Sequence, residues 1–90
     1  MLELKQKSMF KKCLKKYKHN QKVKSELKKV VDLLIQEKPL PTKYRDHELT
    51  GNYKGIRELH LFPDDLLMYF KIEKESITLV AIGSHAELFG

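Results

Sequence analysis

The chain has 90 residues, of which 41% are hydrophobic and 33% charged, and it carries a formal net charge of +6. A chain of this length builds one core and one domain, and its single cysteine, Cys13, excludes an internal disulfide or a thiolate metal site. It contains no charged-then-apolar leader and no apolar run of the roughly 18 residues that a membrane helix needs, so the expectation is a soluble, cytoplasmic protein without a membrane partner.

Met1 to Gln6 alternates Leu2 and Leu4 with polar residues and predicts a short strand. Ser8 is placed to cap a helix on which Phe10, Cys13, Leu14 and Tyr17 form an apolar stripe among lysines. The polar His19-Asn20-Gln21 interrupts that stripe. A longer one follows in Val23, Leu27, Val30, Val31 and Leu34, and Pro39-Leu40-Pro41 ends it. Two amphipathic helices with a short polar connection predict an antiparallel hairpin that needs a common platform.

Residues 39–55 show no periodicity; Gly51, Asn52 and Gly55 mark turns, and Asp46-His47-Glu48 falls in an irregular stretch. From Ile56 onward the pattern is strand: Ile56–Phe62, Leu66–Glu73 and Ser76–Ile82, with short turns at Pro63-Asp64 and Lys74-Glu75. Turns this short predict an antiparallel meander. The order strand, helix, helix, three strands predicts a two-layer α+β domain with the helical hairpin on one face of the sheet.

Charge is segregated along the chain. Residues 1–38 hold 12 lysines against 4 acidic residues, whereas residues 39–90 hold 6 basic and 8 acidic ones. A basic first half suits a polyanionic partner, although a charge run is also the ordinary way to solvate a helix face.

Three of the four histidines lie in the second half. His60 falls at the end of the first meander strand and Asp64 in the turn after it, while His85 follows the last strand and His47 belongs to the loop before the first. All four can converge on the sheet face or edge that the helices leave uncovered. Imidazoles titrate near neutrality, so one ring can accept a proton while another donates one.

The matching reaction is metal-free RNA cleavage. A base takes the ribose 2′-hydroxyl proton, that oxygen attacks phosphorus, and an acid protonates the departing 5′-oxygen. The reading needs no cofactor. Each residue also has a plain structural role: His60 as a half-buried strand residue, Asp64 as a turn former after Pro63, His85 as a backbone cap, and Phe89 as packing on the sheet edge rather than stacking on a base. A zinc site from the same set has suitable ligand types but none of the tight spacing of known zinc motifs. Alternation puts Glu58 and His60 on one face and Arg57 on the other, so Arg57 and His60 share a cleft only across a bulge.

The stretch from Asp46, DHELTGNYKGIRELHLFPD, then LLMYFKI and the closing GSHAELFG, resembles the RelE/YafQ family of bacterial toxins. The resemblance is carried by Asp46-His47, Leu49, Gly51, Arg57, His60, Pro63-Asp64, Tyr69, Gly83, His85 and Leu88-Phe89. It implies a toxin of a type II toxin–antitoxin pair, an endoribonuclease that cuts mRNA during translation on the ribosome and is inhibited by a cognate antitoxin. It further implies catalytic roles for His47, His60, Asp64 and His85, base stacking by Phe89, and contact of the basic helices with ribosomal RNA.

Two positions depart from the pattern. Ala81 stands where such toxins commonly carry arginine, and Asp65 where the member that names the group has tryptophan. Lys54, beside the glycine turn, and Arg57 are then the candidate cations for RNA. A gyrase-inhibiting toxin of the related ParE type and a plain RNA-binding module are the other readings of the same chain.

Overall fold

The opening alternation forms β1 (Glu3–Gln6), which lies parallel to the last strand, with Glu3 opposite Ser76 and Gln6 opposite Leu79. A computed structural model describes all residues from Met1 to Gly90. After β1 the chain enters α1 (Ser8–Leu14), which tightens into a 3₁₀ turn at Lys15–Tyr17, and then α2 (Gln21–Ile35). Ser8 does not cap α1 as expected. The Lys7 amide donates to Leu79 O at 2.9 Å, so sheet pairing continues one residue further and Ser8 becomes the first helical residue. The effective cap is on α2, where the Asn20 side chain accepts from the Val23 amide.

The predicted meander is present as β3 (Arg57–Phe62), β4 (Asp65–Ile72) and β5 (Ser76–Gly83). A two-residue strand, β2 (His47–Glu48), closes the sheet, whose order is β1-β5-β4-β3-β2 with every pair but β1–β5 antiparallel. The stretch around His47, expected to be irregular, is thus an edge strand, paired His47 to Glu58 and Glu48 to Arg57. Two residues are too few for an alternation to register in sequence.

Both helices pack on one face, and Phe10, Val23, Val30 and Leu34 join Leu59, Leu67, Tyr69, Ile77 and Leu79 in the main core. The opposite face is less open than expected. Leu66, Met68 and Ala81 are buried there, and a terminal helix, α3 (His85–Phe89), follows β5 directly. Ser84 and Glu87 form a reciprocal capping box that starts α3: the Ser84 hydroxyl accepts from the Glu87 amide, and the Glu87 carboxylate from the Ser84 amide.

Candidate functional site

Three separate elements bring the predicted side chains together. His47 lies on β2, His60 near the end of β3, His85 at the first position of α3, and Phe89 one turn later on the same helix. Their rings form a row: His47 to His60 is 6.3 Å between centroids, His60 to His85 is 6.5 Å, and His85 to Phe89 is 5.5 Å. Tyr53 meets Phe89 edge-on at 5.4 Å and extends the row. It comes from the glycine-marked turn Gly51–Tyr53, where Gly51 adopts φ of 67°, a left-handed conformation that a side chain would strain.

Hydrogen bonds orient the rings. His47 Nδ1 lies 2.8 Å from Arg45 O, and since a carbonyl only accepts, Nδ1 carries the proton and Nε2 is left for chemistry. His60 Nδ1 makes a longer contact of 3.4 Å with Pro63 O. The Nε2 atoms of both rings turn toward one oxygen of Glu58, at 3.7 Å from His47 and 3.6 Å from His60. That carboxylate is 4% exposed, and its other oxygen is buried without a hydrogen-bond partner. A buried carboxylate offsets positive charge on either ring, and those rings are the compensation its own burial requires. Glu58 was placed on the His60 face by alternation but was not read as a site residue; the i, i+2 spacing of two titratable groups on one strand was the available signal.

Asp64 reaches the site through the backbone, its carboxylate accepting from the His85 amide at 3.0 Å. It thereby ties the β3–β4 turn to the start of α3 and sets where His85 stands. Lys16 holds the helix from the other side, with its ammonium 2.8 Å from Glu87. That contact, with the Ser84 amide, lowers the Glu87 pKa to about 2. Tyr17 donates to Asp65 at 3.0 Å, so the end of α1 is fastened to the first residue of β4 as well.

Arg57 is not brought to the row. Its Nε and terminal nitrogen both donate to one oxygen of Asp46, at 3.2 and 2.9 Å, while the Tyr69 hydroxyl donates to the other oxygen. The bond to Asp46 raises the Arg57 pKa, and burial together with the same carboxylate raises that of Tyr69. Asp46 immediately precedes His47, so this clamp fixes the entry of β2. Lys54 lies next to Tyr53 at the Phe89 end and enters none of the ion pairs of the molecule.

A family profile described as "Bacterial toxin of type II toxin-antitoxin system, YafQ" matches residues 2–90. The chain belongs to the YafQ family of bacterial type II toxins. The curated relative "mRNA interferase toxin YafQ" of Escherichia coli K12 is 42% identical over 67 residues, covering 73% of this chain and 72% of its own length. Among solved structures, a metal-bound toxin from Helicobacter pylori superposes with a TM-score of 0.89 at 44% identity, covering 99% of this chain and all of its own. YafQ in the E. coli DinJ–YafQ complex superposes with a TM-score of 0.86 at 34% identity, covering all of both chains. In the arrangement seen here, no three histidine, cysteine, aspartate or glutamate side chains converge closely enough to share an ion.

Proposed function

We propose that this YafQ-family toxin is an endoribonuclease that cleaves mRNA during translation by histidine acid–base catalysis. The row of His47, His60, His85 and Phe89 rings carries the reading. Rings 6.3 and 6.5 Å apart between centroids can both reach one phosphodiester lying across their row, each through a hydrogen bond of about 3 Å. One imidazole takes the proton of the 2′-hydroxyl, the 2′-oxygen attacks phosphorus, and another imidazole gives a proton to the departing 5′-oxygen. The phosphodiester becomes a 2′,3′-cyclic phosphate and a free 5′-hydroxyl, so atoms and protons balance without a cofactor.

Glu58 offsets charge on whichever neighbouring ring holds the proton. Asp64 acts by positioning His85. Phe89, 38% exposed and braced by Tyr53, offers a face on which a base can stack. Lys54, unpaired at that end of the row, serves the phosphate backbone. The lysines of α1 and α2 suit ribosomal RNA, whose phosphates they meet as a sequence-independent charge field. The cognate partner is an antitoxin, as DinJ is for the YafQ of the solved complex.

The test is induction of the toxin in cells, with mapping of mRNA 5′ ends and of growth. Wild type produces new 5′-hydroxyl ends within translated reading frames, and His60→Ala and His85→Ala abolish them while antitoxin binding persists. Full toxicity in both variants refutes the acid–base assignment. Growth arrest with no new ends instead indicates a gyrase-binding toxin of the ParE type.

A further inference from the structure

The pairing of β2 with β3 ends at His47 opposite Glu58, and two residues further along each segment stand Arg45 and His60. There the segments separate around a cleft of about 280 Å³, bounded by Lys43 and Arg45 on one side, His60, Phe62 and Pro63 on the other, and Glu26 of α2 at its rim. Of the ring row it touches His60 alone, and Phe89 lines no part of it.

Three features distinguish this cleft. Its one carboxylate is occupied: Glu26 accepts from the Tyr44 hydroxyl and lies 3.5 Å from Lys43 and 3.7 Å from Lys29. Its second cation is free, because the guanidinium of Arg45 enters none of the ion pairs of the molecule. Arg45 also adopts φ of 51°, a left-handed conformation unfavourable for any residue with a side chain, and in that pose its carbonyl accepts from His47 Nδ1. One residue thus fixes a site histidine through its backbone and is also among those that line the adjoining cleft. Phe62, 36% exposed, adds an aromatic wall.

We infer that this cleft is a nucleotide subsite of the RNA groove, taking the residue on the side of the scissile phosphate away from Phe89. Arg45 holds its backbone phosphate, and Phe62 packs against its base or ribose. The volume lies at the small end of ligand clefts and suits one nucleotide. The guanidinium is the natural group for this duty, since its planar donors pair with two phosphate oxygens at once. The inference rests on the RNA-cleaving reading and adds to it a minimum substrate length.

The test uses non-cleavable oligonucleotides with 2′-deoxyriboses, a dinucleotide and a tetranucleotide, titrated into the whole protein by calorimetry and amide NMR. The tetranucleotide should bind about tenfold more tightly, the size expected of one charge-assisted contact, and should shift the amides of Lys43–Arg45 and Phe62. Arg45→Gly, which suits the left-handed backbone and keeps the carbonyl, should abolish that gain with the fold intact; Arg45→Lys should retain part of it. A gain that survives Arg45→Gly, or shifts confined to the Phe89 end, overturns the subsite. If wild type also cuts mRNA in a His60-dependent manner, the nuclease reading stands without the subsite. An Arg45-dependent gain without His60-dependent cutting keeps the subsite and removes the nuclease.

Discussion

Replacing Asp46 with alanine tests how the site is held. Its carboxylate accepts from the Tyr69 hydroxyl on one oxygen and from two Arg57 nitrogens on the other, and Tyr69 is only 2% exposed. Hydrogen bonds to a charged group contribute roughly 1.5–3 kcal/mol each, and a buried hydroxyl left without an acceptor costs about 1–3 kcal/mol. The Arg57 side chain is 37% exposed and recovers water when released, so its share is discounted. The expected loss is about 3 kcal/mol for Asp46→Ala, and about 1–2 kcal/mol for Tyr69→Phe, which removes the donor without stranding it. A 90-residue domain has roughly 5–13 kcal/mol to lose, so both variants fold. Urea unfolding of the two single variants and the double variant gives the coupling, expected at about 1 kcal/mol or more for groups in direct contact. Additivity within about 0.3 kcal/mol would refute the clamp. Because His47 is the next residue, mRNA cleavage by folded Asp46→Ala should fall as well; unchanged cleavage would show that β2 needs no such anchor.

Burial and carboxylate partners raise the pKa values of the Tyr17, Tyr44 and Tyr69 hydroxyls, that of Tyr44 to about 12. The folded state keeps these protons after unfolded tyrosines lose theirs, so stability is level below about pH 10 and falls above it, by up to about 1.4 kcal/mol per pH unit for each. Urea midpoints that stay flat from pH 9 to pH 11.5 would contradict this. Ser84→Ala removes the α3 cap, and a loss of about 1 kcal/mol should appear as faster amide exchange across His85–Phe89 with the β-sheet unaffected. Glu58→Gln keeps the shape under the rings and removes the charge. Cleavage should drop about tenfold or more, equivalent to roughly 1.4 kcal/mol of transition-state stabilisation, while the thermal midpoint holds or rises; a lower midpoint with intact cleavage would make Glu58 purely structural.

What the sequence determined by itself is what neighbours along the chain decide. The stripes Phe10–Tyr17 and Val23–Leu34 and the runs Ile56–Phe62, Leu66–Glu73 and Ser76–Ile82 specified helices and strands, because a periodicity of 3.6 or 2 is written within one segment. The motif residues His47, His60, Asp64, His85 and Phe89 were likewise legible, whereas the caps at Asn20 and Ser84 were not read and Ser8 was named in their place.

Tertiary structure alone decided how these pieces meet. Nothing near Glu3 states that β1 pairs with β5 across more than seventy residues, nor that two residues at His47 become an edge strand. Arg57 looked like a phosphate ligand by type, but the pleat and the Asp46 carboxylate, eleven residues away, commit it to structure. Asp64 and His85 are joined by an amide–carboxylate bond across twenty-one positions, and Glu58 becomes part of the site only because β2 lays His47 beside it. Such contacts form when burial of the apolar faces brings distant segments together, and that driving force has no direction along the chain.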